Sequence, residues 1–154
     1  MIQINIIYFH THDLGRFCEP YGYKIPTPNI QDFAEEGVLF RNAFCLAPTC
    51  SPSRAALLTG QYPHQNGMFG LTGQGWRLND YNRHLAGFLS DNGYTTALCG
   101  THHVDSFPPE NVPYDHFLNC EGEEDYDRWE TTNAAIDFIK ENKQQPFFLE
   151  VRYD

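Results

Sequence analysis

Apolar positions along the chain fall into short continuous runs separated by stripes of helical spacing. Ile2 to Phe9 is a nearly unbroken apolar, β-branched run and predicts a strand buried on both faces of a parallel sheet. Thr27-Pro28 offers an N-cap followed by proline at the first helical position, and Gly37 closes that helix. Ile30, Phe33 and Ala34 are its predicted inner stripe. A second helix is predicted from Pro52, capped by Ser51, to just before Gly60. A third spans Asn82 to Asn92, with Leu85, Phe88 and Leu89 on one face and Gly93 as its stop. Thr95 to Leu98 reads as a short strand. A helix over Arg128 to Glu141 should bury Trp129, Ile136 and Ile139, and Pro146 precedes a strand from Phe147 to Tyr153. Strands alternating with helices give an α/β class fold, a mostly parallel sheet flanked by helices. Ligands in such sheets collect at the carboxyl ends of the strands.

Two turns occupy that position. His10-Thr11-His12-Asp13 follows the first strand, and Gly100-Thr101-His102-His103 follows the strand at Thr95 to Leu98. Between them lies Cys50-Ser51-Pro52-Ser53-Arg54-Ala55-Ala56-Leu57-Leu58-Thr59-Gly60. This string sets a cysteine at a helix N-terminus with an arginine one turn on, where backbone N–H groups and the helix dipole favour an anion. The Arg54 guanidinium adds a planar fork suited to a tetrahedral oxyanion. A cysteine phosphatase would need C-x5-R, and position 56 is Ala. A buried cysteine beside an ordinary helix cap is the alternative reading.

Composition narrows the partners. The 154 residues are 41% hydrophobic and 19% charged, an ordinary globular balance for one domain. Twenty acidic against ten basic side chains give a net charge of −10, which argues against nucleic acid and anionic membrane surfaces. No apolar run reaches the length of a membrane span. Five cysteines, odd in number and without a C-x-x-C pair, suggest reduced thiols. The N-terminus lacks the basic start and cleavage site of a signal peptide, so the expected location is cytoplasmic, or the leader has been removed.

The Cys50 to Gly60 string resembles the sulfatase signature C-x-P-S-R-x-x-x-L-T-G, and the likeness runs along most of the chain. Asn5-Ile6-Ile7, Asp13-Leu14-Gly15 and Thr27-Pro28-Asn29-Ile30 are similar to that family's opening strand, metal turn and first helix. Gly93-Tyr94-Thr95-Thr96 through His103 resembles its second signature, G-Y-x-T-x-x-x-G-K-x-H. Pro146 to Leu149 resembles the strand that closes the family's first half. Leu39-Phe40-Arg41-Asn42-Ala43-Phe44 and Pro63-His64-Gln65-Asn66-Gly67-Met68 are most similar to the heparan N-sulfatase (sulfamidase) branch.

The resemblance implies an alkaline-phosphatase-like fold in which residues 1–154 form the N-terminal part of a catalytic domain, truncated here, that hydrolyses sulfuric esters or sulfamates. It implies that a formylglycine-generating enzyme oxidises Cys50 to formylglycine. One hydroxyl of the hydrated aldehyde then attacks sulfur as the alcohol or amine leaves. Loss of the proton from the other re-forms the aldehyde and expels sulfate. Arg54 would neutralise charge and His103 would carry a proton. Asp13, His12 and residue 50 would hold a divalent cation, Ca²⁺ for most of the family, with Mg²⁺ or Mn²⁺ as alternatives. The family's remaining metal ligands are expected downstream of Asp154.

Some positions depart from the pattern. The family's two adjacent aspartates are His12-Asp13 here, and an imidazole favours a softer ion than calcium, such as Mn²⁺ or Zn²⁺, unless His12 only supports a ligand from behind. His10 is expected to point away as a structural histidine. Thr101 stands where the family has a sulfate-binding lysine; it donates one hydrogen bond without charge, and His102 is the neighbouring candidate for substrate binding. The overall negative field around a local Arg54 site favours a small or chain-end sulfated group. Two other readings stay open: a phosphate or phosphonate ester hydrolase of the same superfamily, and a catalytically silent domain.

Overall fold

A computed structural model describes residues 4–106, 109–122, 127 and 129–153. Four strands, β1 (Ile6–Thr11), β2 (Thr95–Gly100), β3 (His116–Cys120) and β4 (Phe147–Tyr153), form one sheet in the order β1-β4-β2-β3. Every pairing is parallel. Among the described residues five α-helices accompany it: α1 (Pro28–Glu36), α2 (Cys50–Thr59), α3 (Pro63–Asn66), α4 (Leu85–Asp91) and α5 (Thr131–Asn142). The α/β class and the parallel sheet are as the alternation of runs and stripes predicts.

The central strand β4 is buried along almost its whole length, because β1 and β2 flank it and both its faces are covered. On one face, Phe147, Leu149 and Val151 pack with Ala97 and Cys99 against Ala135 and Phe138 of α5. On the other, Phe148 and Leu98 join Ala55 and Leu58 of α2 and Ala86 and Leu89 of α4. That second face also carries Glu150 and Arg152, in register with Tyr8 and His10 of β1. The period of two thus delivers a row of ionisable groups to the helix side of the sheet.

Several local expectations are corrected. β1 is an edge strand, so only alternate positions are covered: Ile7 and Phe9 are half or more exposed. The predicted start at Ile2 lies outside the described residues. α1 has the predicted bounds, yet Ile30 and Phe33 face outward. α2 begins two residues before Pro52, with extended Thr49 as its cap. Proline is tolerated there because the first-turn N–H groups have no helical partner. The stretch from Asn82 is broken: Asp80 caps a short 3-10 turn over Tyr81–Arg83, and extended His84 starts α4 by accepting from Ala86 N at 3.2 Å. α5 starts at Thr131, and its inner stripe is Thr131, Ala135 and Phe138, three positions on one face. Trp129 and Ile136 are exposed in consequence, while Ile139 packs at the core's margin. Residue 128 lies outside the described residues.

β3 was not legible in the sequence: His116-Phe117-Leu118-Asn119-Cys120 carries polar groups and lies at the sheet edge, mostly half-buried or exposed. β2 runs two residues past Leu98. Gly100 there has φ +87°, and a Cβ would collide with the Arg152 carbonyl oxygen, so the strand passes β4 only as glycine. No helix among the described residues is long and apolar enough to cross a membrane.

Candidate active site

Three elements converge at the carboxyl edge of the sheet. β1 ends at Thr11, and the next residue, His12, donates its backbone N–H to Tyr153 O at 2.9 Å, which fixes the turn against β4. β2 ends at Gly100, and His103 follows three residues later with φ +58°. That left-handed conformation costs a non-glycine residue about 1–2 kcal/mol. Strain of this kind is held in place where geometry matters to a site. α2 presents its first residue, Cys50, to the same place.

The result is a cup of mixed donors. One ligand atom each from His12, Cys50 and His103 lies within 4.8 Å of the other two. The rings of His12 and His103 meet edge to face with centroids 4.9 Å apart. Each histidine is backed by a carboxylate: Asp13 Oδ1 lies 2.9 Å from His12 Nδ1, and Glu121 Oε2 lies 3.7 Å from His103 Nε2. Carboxylates behind imidazoles are a recurring support for metal ligands. The Asp13 side chain itself is almost fully exposed.

Cys50 and Arg54 sit one turn apart on α2, on the same face. Together with Tyr8, His10, His12, Asp13 and Leu57 they line a hollow of about 470 Å³. A larger hollow of about 610 Å³ lies between β3 and α5, but it is lined by neither a cysteine nor an arginine. The smaller one holds the chemistry.

His10 does not point away. Its Nε2 lies 2.8 Å from Arg54 Nη1, and its Nδ1 lies 3.0 Å from Thr11 O. A guanidinium only donates, so Nε2 accepts and Nδ1 carries the proton. Burial, with the charge of Arg152 second, pushes His10 down to about 3, which agrees with a neutral ring. Arg54 is itself lowered to about 10, by burial first and then by Arg152, and stays charged at neutral pH. Strand periodicity places His10 on the face of Ile6 and Tyr8, the face that α2 covers, and that was the available signal.

Beneath Arg54, Glu150 and Arg152 form an ion pair with both side chains essentially inaccessible to water. The Tyr114 hydroxyl donates to Glu150, and Arg152 donates to the backbone oxygen of His102. Arg54 and Arg152 therefore make a cationic core in a chain of net charge −10. Nothing in the residue pattern alone marks Glu150 or Arg152, because charged residues in a central strand require a partner from elsewhere to be buried.

Thr101 and His102 are both buried and neither lines the hollow. Thr101 Oγ1 has no hydrogen-bond partner among the described residues. His102 Nδ1 accepts from Val104 N at 3.2 Å and its Nε2 lies 3.1 Å from Ser106 O, so the ring braces its own turn. Burial first, then Arg152, lowers His102 to about 3. Both side chains, expected at the sulfate, are turned into the interior here, His102 as the brace of its own turn, while the turn after β2 directs His103 to the cup.

Replacing the acceptor on Arg54 should be measurable. His10→Phe in the full-length protein is expected to lower kcat about tenfold, the scale of a hydrogen bond to a charged group. His10→Gln, whose amide oxygen can accept, should recover part of that loss in steady-state assays.

Comparison with known proteins gives a consistent result. A family profile described as Sulfatase matches residues 5–153. Human N-sulphoglucosamine sulphohydrolase is 45% identical over 94 residues, covering 59% of this chain and 18% of that protein. N-acetylglucosamine-6-O-sulfatase of Bacteroides thetaiotaomicron is 31% identical over 168 residues, covering 94% of this chain and 29% of that protein. A protein solved in complex with its substrate D-glucosamine-2-N,6-O-disulfate superposes with a TM-score of 0.84 at 27% identity, covering 99% of this chain and 34% of that one. The chain thus spans under a third of the length of these two curated relatives.

Proposed function

This chain belongs to the sulfatase family, and on that premise we propose that the full-length protein hydrolyses sulfate esters or sulfamates, with residues 1–154 as the N-terminal part of its catalytic domain. The observation that carries the reading is the meeting of Cys50 and Arg54, from one helix N-terminus, with His12 and His103 from the ends of β1 and β2. An anion entering the hollow would find the first-turn N–H groups of α2 and the Arg54 guanidinium together.

Each residue has a definite task. Position 50, matured to a hydrated aldehyde by a formylglycine-generating enzyme, supplies an oxygen nucleophile and a second hydroxyl through which sulfate is released. Arg54, held by His10, binds the sulfate oxygens and offsets the charge that builds on them. His103 carries the proton that the leaving alcohol or amine requires. Asp13, His12 and residue 50 are the groups that would hold a divalent cation. One imidazole beside a carboxylate suits such an ion, with the His12 nitrogen tilting the preference from Ca²⁺ toward a softer ion such as Mn²⁺. When bound, the ion supplies positive charge that acidifies the attacking hydroxyl.

The N-sulphoglucosamine sulphohydrolase and glucosamine-disulfate likenesses support a small or chain-end sulfated amino sugar as substrate. The relatives lend no support to the phosphate ester alternative. Assaying the full-length protein, co-expressed with a competent formylglycine-generating enzyme, tests the reading. Turnover of aryl sulfate or glucosamine N-sulfate is expected to exceed that of aryl phosphate by at least about 100-fold. Faster phosphate turnover would overturn it.

A further inference from the structure

We propose that before Cys50 is oxidised the same cup is a Zn²⁺-class site, with the Cys50 thiolate and the imidazoles of His12 and His103 as its three protein ligands. This goes beyond the hydrolytic reading, because it concerns the chain in its thiol form and a different donor chemistry. Sulfur and two imidazole nitrogens are borderline-to-soft ligands, the set that selects zinc or cobalt over calcium. The three come from three separate elements: the end of β1, the first turn of α2 and the strained residue after β2.

The geometry is close to what such an ion needs. Bonds of about 2.3 Å to sulfur and about 2.0 Å to nitrogen place tetrahedral donors about 3.5 Å apart. The observed separations, at most 4.8 Å, therefore require a contraction of roughly an ångström, within the reach of side-chain rotation. His12 and His103 are mostly covered yet not sealed, and Cys50 is half-buried, so an ion has an entry path through the hollow. Asp13 and Glu121 stand behind the two imidazoles and orient them. Thiolate formation releases one proton per ion bound, and no oxidant or reductant is involved.

The test uses the full-length protein expressed without a formylglycine-generating enzyme. Addition of Co²⁺ is expected to produce the near-ultraviolet thiolate-to-cobalt charge-transfer band at one ion per chain. Zn²⁺ should abolish the band by displacement, while a large excess of Ca²⁺ leaves it in place. Zn²⁺ should also protect Cys50 from iodoacetamide, read on the tryptic peptide by mass spectrometry. Cys50→Ser is expected to remove the band, and His12→Ala and His103→Ala to weaken Zn²⁺ binding at least about tenfold each. Cys45→Ser, which alters the other cysteine lining the hollow, should leave the band intact. Absence of a band in the unmodified protein, or its persistence in Cys50→Ser, would overturn the proposal. These outcomes are independent of the hydrolytic reading, which is judged on the matured protein by sulfate turnover.

Discussion

Cys50→Ala in the full-length protein is expected to lower kcat by at least ~10⁴-fold, the scale seen when a covalent nucleophile is removed and only binding and charge stabilisation remain. The argument rests on what the rest of the site can do alone. Arg54 and the first-turn N–H groups of α2 would still bind a sulfate group, so KM should change far less than kcat. His103 would still stand at the cup, but the proposed proton carrier without a nucleophile leaves only water to attack sulfur. Cys50 is half-buried at the start of α2 and packs in neither core cluster, so truncation should leave folding intact. An unchanged circular dichroism spectrum and urea midpoint would separate loss of chemistry from loss of structure. Mass spectrometry of the wild-type peptide bearing position 50 supplies the companion measurement: an aldehyde there ties the loss to formylglycine. Residual activity within tenfold of wild type would remove residue 50 from the mechanism.

The parts of this site that were legible from the sequence are those encoded by local chemistry. Cys50 and Arg54 share a helix turn, so their spacing alone puts them side by side. His12, Asp13 and His103 follow strands in a parallel sheet, and the carboxyl-end rule places them near one another. What the sequence hid depends on which face a helix covers. His10 looked structural because strand alternation gives two faces but does not say that α2 packs on this one. Thr101 and His102 looked like ligand-binding groups because Thr101 stands where the family has a sulfate-binding lysine and His102 is its neighbour. The left-handed turn at His103 sends its side chain one way and theirs into the interior. β1 and α1 carry apolar residues, Ile7, Phe9, Ile30 and Phe33, that stay exposed among the described residues, so periodicity predicted burial that is not found there.

The buried pair beneath Arg54 makes the last large effect. Arg152→Met is expected to destabilise the protein by about 3–5 kcal/mol, because it leaves Glu150 charged in a place without water. Among the described residues Glu150 then retains the Tyr114 hydroxyl, His10, whose Nε2 is 4.0 Å away and already engaged by Arg54, and the more distant charge of Arg54. Glu150→Gln should cost less, since the amide keeps a hydrogen bond to Tyr114, yet it leaves Arg152 without a counter-charge. Replacing both, as Glu150→Leu with Arg152→Met, is expected to recover most of the loss, because neither desolvated charge remains. Urea midpoints of the wild type, Glu150→Leu, Arg152→Met and the doubly substituted protein form a double-mutant cycle that isolates the pair. Turnover should not follow stability. Arg152 donates to the His102 backbone oxygen, one residue before His103, and so ties β4 to the turn that carries the proposed proton donor. The doubly substituted protein lacks that tie, and its kcat is expected to stay below wild type although its midpoint returns. Recovery of both together would mean that Arg152 serves the fold alone; recovery of stability without turnover assigns it to the positioning of His103.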